Sequence, residues 1–74
     1  MTRFQYYRVV EQGDVLHGSA SRIEAGSLEE AADVMCTLER IRAPWWVWRD
    51  GGWETEPDPR RRADRRRWRV EAVR

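Results

Sequence analysis

One helical stripe decides most of what this chain can become. Leu28, Ala31, Val34, Met35, Leu38 and Ile41 recur at three- and four-residue intervals and form a single apolar stripe, with Glu29, Asp33, Thr37 and Arg40 opposite. Ser27 stands at the start as a cap, and Glu30 three residues on completes a capping box. Acids in the first turn, with Arg40 and Arg42 in the last, complement the helix dipole. Pro44 forbids continuation and biases Ala43 toward extended backbone. A helix with one apolar stripe has one covered face, so it should pack on a sheet.

The flanking segments supply that sheet. Residues 4–11 (FQYYRVVE) are aromatic and β-branched, which suits a pleated, half-buried surface. Gln12-Gly13 reads as a hairpin turn, and Val15, His17, Ser19, Ser21 and Ile23 then share one strand face. The small residues 18–21 weaken that strand and predict a bulge or an early end. Beyond the helix, Trp45-Trp46-Val47-Trp48-Arg49 and Trp53-Glu54-Thr55-Glu56 flank Asp50-Gly51-Gly52, a stronger hairpin signal. An Asp50-Gly51 loop sets Trp48 opposite Trp53; a Gly51-Gly52 loop sets Arg49 opposite Glu54, and both pairings are favourable. Residues 57–67 form a polar, arginine-rich loop or short helix, where Asp58-Pro59 resembles a helix start. Trp68, Val70 and Ala72 then alternate with Arg67, Arg69 and Glu71 at the period of a strand over 66–73. The architecture is α+β: one small two-layer domain over residues 1–74, with an antiparallel sheet of about five strands (ββ-α-ββ-β) and one amphipathic helix packed on one face.

Size limits what such a domain can do. A domain of 74 residues buries only about 60% of the surface its unfolded chain exposes, too little to wall off a deep cleft from water. The expectation is therefore a protein that is not an enzyme. His17 with Ser19 or Ser21 is the one nucleophile–base set available, and no orienting acid or oxyanion donor is marked beside it. A partly exposed sheet histidine explains it better. Cys36 has no second cysteine to pair with, and its helical neighbours Asp33, Glu39 and Arg40 are mixed and slightly acidic, which does not favour a thiolate, so it reads as a packing residue. A single histidine builds no metal cluster, and no cofactor is indicated. The longest apolar run, residues 43–48, is far below the ~20 residues of a spanning helix, and residues 1–11 carry no apolar signal region. No membrane contact and a cytoplasmic location are the expectation.

Charge is distributed unevenly. Residues 1–56 carry a net charge of −4 and residues 57–74 a net charge of +5. Every basic side chain is Arg, with no Lys and no Asn, a bias that a GC-rich genome such as that of an actinobacterium or one of its phages produces by itself. Within the basic segment, Arg60, Arg61, Arg62, Arg65, Arg66, Arg67, Trp68 and Arg69 combine phosphate-binding forks with a stacking ring. Arg65 through Arg69 (RRRWR) resembles the arginine-rich RNA-binding helices of some retroviral regulatory proteins over five residues, while Asp64 and the following Val70-Glu71-Ala72-Val73 depart from that pattern. No family assignment follows from it. Pairing with Glu29, Glu30, Glu54 and Glu56, or service on a soluble edge strand, explains the same arginines.

Five tryptophans are the second unusual feature. Trp46 and Trp48 must share one face of their strand and Trp45 the other, so a single helix cannot cover all three. An uncovered Trp beside Arg and Tyr has the composition of an interaction hot spot. The leading functional expectation is a binding protein that contacts another protein, its own copy or a host factor, through Tyr6, Tyr7, Trp45, Trp46, Trp48 and Trp53, with the arginines steering the encounter. The alternative is a DNA- or RNA-binding accessory protein acting through residues 60–69.

Overall fold

The computed structural model describes residues 1–9, 20–56, 60 and 66–73. In chain order the elements are β1 (Thr2–Val9), β2 (Ser21–Ala25), α1 (Leu28–Glu39), β3 (Trp45–Arg49), β4 (Gly52–Glu56) and β5 (Arg67–Ala72). The five strands form one antiparallel sheet in the order β2-β1-β5-β4-β3, and α1 packs on one face of it. This is the two-layer α+β arrangement that the helical stripe and the strand periodicities predict. The turn at Gln12-Gly13, the weak segment before Ser21 and most of 57–67 lie outside the described residues.

The C-terminal strand closes the fold. Two hairpins, β1–β2 and β3–β4, are joined edge to edge only because β5 slots between β1 and β4. An edge-strand role for the basic segment is thereby overturned: Arg67 and Arg69 lie on the central strand. The alternation read from the sequence holds. Val70 is fully buried toward the helix and Trp68 packs against the same core.

The helix starts as its caps dictate. Ser27 Oγ accepts the Glu30 N–H at 3.1 Å, and the Glu30 carboxylate accepts the Gly26 N–H at 3.0 Å, one residue upstream of the usual reciprocal partner. Its end differs from the expectation. The helix stops at Glu39, Arg40 takes the left-handed conformation with φ 56°, and the Ile41 N–H donates to the Cys36 carbonyl. Arg40 is therefore a cap residue, Arg42 lies beyond the helix, and the last turn holds no base. Ala43 is also left-handed, with φ 46°, where Pro44 predicted extended backbone, because the chain must turn sharply between the helix end and β3.

The apolar stripe is shifted by one residue pair. Ala31, Ala32 and Met35 are buried, with Leu28, Val34 and Ile41 packed at the margin, whereas Leu38 is 60% exposed. The sheet-facing place in the last turn belongs to Glu39, whose carboxylate accepts a 2.8 Å hydrogen bond from Tyr6 Oη. Leu38, the residue before Glu39, faces outward. The core comprises these helix residues together with Phe4, Tyr6, Ile23, Ala25 and Val70.

Candidate functional site

One helix cannot cover this sheet. An α-helix is about 10 Å across, whereas five strands spaced about 4.8 Å apart span about 19 Å. Here α1 lies on β2, β1 and β5. Among the described residues, the helix-side face of the β3–β4 hairpin is covered by its own indoles.

The hairpin geometry places them. The Asp50-Gly51 loop, with φ 47° and 77°, has both central residues left-handed, as a tight two-residue turn requires. Of the two pairings open in the sequence, this one puts Trp48 opposite Trp53, with Trp46 opposite Thr55. Trp48 and Trp53 meet edge to face at 5.0 Å, and Trp46 and Trp53 at 6.2 Å. Trp46 and Trp53 reach the margin of the core, but Trp48 stands 53% exposed. Between this cluster and the helix runs a groove of about 200 Å³ lined by Glu29, Ala32, Asp33, Trp46 and Trp53. Its floor is apolar and its helical wall carries two carboxylates. Sequence periodicity placed Glu29 and Asp33 on the solvent side of the helix; only the incomplete coverage of the sheet turns them into a rim.

The opposite face of the sheet is polar and tightly bonded. Its centre is Arg69, only 9% exposed, whose guanidinium makes four hydrogen bonds: to the Glu71 and Glu54 carboxylates and to the main-chain carbonyls of Arg49 and Asp50. Burial alone would lower its pKa, but the bonds to Glu71 and Glu54 outweigh that and hold the charge more firmly than usual. Glu71 also accepts hydrogen bonds from Tyr7 Oη and Gln5 Nε2, each at 2.8 Å. Burial pushes the Glu71 carboxyl up; the Arg69, Gln5 and Tyr7 bonds and the Arg69 charge reverse that and bring it below its ordinary value. The Tyr7 hydroxyl is pushed up to about 12, first by burial and then by its bond to the Glu71 carboxylate. Outward from this centre, Arg49 lies 3.5 Å from Glu54 and 3.2 Å from Glu56, and Arg67 lies 3.2 Å from Glu56. Gly52 makes room for the arrangement, because a Cβ there would stand 2.8 Å from Arg69 Nη2 and from the Val70 carbonyl.

The residues singled out in the sequence are thus divided between surfaces. Tyr6 is buried under the helix and Tyr7 beneath the ion pairs, so neither belongs to an exposed contact surface. Trp46, Trp48 and Trp53 gather on the helix side, and Trp45, 46% exposed, stands alone on the other face with the Arg60 guanidinium 5.5 Å from its ring centre. Arg67 and Arg69 serve internal pairs with Glu56 and Glu54, two of the four acids named as partners from the sequence. Trp68 packs inward, and its main-chain N–H donates to Thr55 Oγ1. Arg60 and Arg66 are exposed, while Arg61, Arg62 and Arg65 lie outside the described residues. Gln5, Gly52 and Glu71 were not anticipated, since their importance follows from β5 lying between β1 and β4.

The other chemistry-bearing residues are quiet. Cys36 is half-buried, and burial, followed by the Asp33 charge, raises its thiol pKa, which disfavours the thiolate. His17 and Ser19 lie outside the described residues; Ser21 opens β2. Among the described residues there is no cluster of metal-ligating side chains and no helix long and apolar enough to cross a membrane. Comparison with known protein families, with curated proteins and with solved structures finds no match to the chain.

Proposed function

We propose that this chain is a small, non-enzymatic binding protein that contacts another protein through the β3–β4 tryptophan surface: Trp46, Trp48 and Trp53 on the helix side, and Trp45 with Arg60 on the reverse. The observation that carries this reading is the pair of exposures on a single strand, 46% for Trp45 and 53% for Trp48, on opposite faces. A core does not need indoles held in water, and rigid aromatics at an uncovered rim are what protein interfaces use as anchors. Arg49 and Arg60 beside them give charge for steering. The alternative, nucleic-acid binding through residues 60–69, has to manage without Arg69, Arg67 and Trp68, which are engaged internally.

The test compares the wild-type chain with a Trp45→Ala/Trp48→Ala variant that keeps the fold by circular dichroism. Sedimentation reports self-association, and quantitative co-purification from expressing cells reports foreign partners. An association present in the wild type and lost in the variant is the expected result. A chain that is monomeric and whose co-purifying proteins are indifferent to both substitutions overturns the reading.

A further inference from the structure

The two edges of the sheet are β2 and β3 among the described residues. They are guarded differently. On β2 the exposed side chains Arg22 and Glu24 are charged, the usual protection against stray strand pairing. On β3 the exposed side chains are Trp45, Trp48 and Arg49. Residues flanking a two-residue turn form a hydrogen-bonded pair, and bonded pairs alternate from there. Arg49 and Val47 therefore exchange bonds with Gly52 and Glu54, while the N–H and C=O groups of Trp46 and Trp48 point away from β4.

We propose that the occupant of this edge is a second copy of the chain, with β3 pairing antiparallel to β3 about a two-fold axis through Val47. The inference rests on the protein-binding reading above and names its partner. The segment Trp45-Trp46-Val47-Trp48-Arg49 is nearly its own mirror in side-chain type, and the register that overlaps all five residues sets Trp46 opposite Trp48, Val47 opposite Val47 and Trp45 opposite Arg49. The outward N–H and C=O groups of Trp46 and Trp48 are then the ones that meet, giving two bonded pairs related by symmetry. On the helix side, Trp48 of each copy lies against Trp46 of the other, at the open side of the acid-rimmed groove. On the reverse face, Arg49 of each copy meets the Trp45 ring, whose neighbour on β4 is Glu56, so an arginine fork faces an indole beside a carboxylate. Two five-stranded sheets become one, with both helices on the same side. The contact is smaller than a standard protein interface, so the dissociation constant should lie between about 1 μM and 1 mM.

Sedimentation across that concentration range, with Val47 variants, tests the proposal. The wild type should move from monomer to dimer. Val47→Lys places two ammonium groups face to face on the axis and should weaken the dimer by about tenfold or more without touching the core; Trp48→Ala, counted twice by symmetry, should do the same. In a Cys36→Ala background, Val47→Cys should form an intermolecular disulfide under mild oxidation, because unbonded antiparallel partners bring their Cβ atoms within disulfide range, whereas Arg22→Cys on the other edge should remain a thiol. A chain that stays monomeric, with Val47→Cys unlinked, overturns the proposal. So does a dimer that Val47→Lys leaves unchanged, since its interface then lies elsewhere. A monomer that loses a specific foreign partner on Trp45→Ala/Trp48→Ala refutes self-pairing and leaves the protein-binding reading standing.

Discussion

On the helix side, the two halves of one sheet solve the same problem in opposite ways. Over β2, β1 and β5, the helix brings Ala31, Ala32 and Met35 down onto Phe4, Tyr6, Ile23 and Val70, and Met35 and Val70 lose all contact with water. Over β4 and β3 no second layer stands among the described residues, and Trp46, Trp48 and Trp53 lean on one another instead. Two alanines and a methionine suffice on the helix where it supplies the lid over Phe4, Tyr6, Ile23 and Val70; the strand pair it does not reach shields itself with indoles. The difference teaches that the tryptophans mark where the reach of the helix ends.

The comparison breaks most visibly under truncation in the covered half. Met35→Ala should cost about 2–5 kcal/mol, because Met35 is fully enclosed and its loss leaves a cavity between two rigid layers. Urea denaturation measures it. A cost below that of Trp48→Ala would mean that the helix is not the main lid of this domain.

Arg69 tests whether the bonded reverse face ties the halves together, since β5 belongs to the covered half and Arg69 reaches across β4 to the β3–β4 turn. Arg69→Ala should cost about 1.5–3 kcal/mol, the range for hydrogen bonds to charged groups, because it leaves Glu54 and Glu71 without their shared partner. The same network sets the acid limb of stability. A carboxyl whose folded pKa lies below its unfolded value of about 4.3 contributes stability at higher pH and loses it as pH falls through the folded value. Glu71 is such a group. Melting temperature should therefore drop below about pH 4.3 in the wild type and drop less steeply in Arg69→Ala. Parallel acid limbs would contradict the network.

How much of this was legible in the sequence follows from the range of the interactions. The helix start, the strand alternation of Trp68 and Val70, and the second hairpin are local signals, and each appears where spacing and caps placed it. Leu38 was misplaced because the bond from Tyr6 to Glu39 joins residues 33 positions apart, which no periodicity within the helix records. Arg69 looked like part of a free basic run because its partners Glu54 and Arg49 sit on two other strands, β4 and β3, 15 and 20 positions away. The strand order is what makes Arg69 a structural arginine. The exposed indoles were foreseeable in kind, since Trp45 and Trp46 cannot both be core in two layers. Which of them would be bare depended on how far one helix reaches.

Tyr7 carries the alkaline counterpart. Its hydroxyl titrates near 12 in the folded chain, against about 10 when unfolded, so its contribution is complete below pH 10 and is lost as pH rises toward 12. Tyr7→Phe removes the bond to Glu71, at a cost of about 0.5–1.5 kcal/mol near neutrality, and should flatten the decline above pH 10. A tyrosine absorbance titration in which all the tyrosines ionise near 10 would contradict the burial of this hydroxyl.

The smallest effect on stability should come from the most conspicuous side chain. Trp48 is half in water, and its partner Trp53 keeps Trp46 as a neighbour, so Trp48→Ala in the monomer should cost only about 0.2–1 kcal/mol, the worth of a cross-strand pair. Denaturation at a concentration low enough to keep the chain monomeric isolates that figure; repeating it at high concentration adds whatever the second copy contributes. The gap between the two should be wide for the wild type and nearly absent for Trp48→Ala, because mass action stabilises the folded chain only while the edge can pair. If the cost is instead large and independent of concentration, Trp48 is a structural member of its own hairpin, and the bare half of the sheet is complete without a partner.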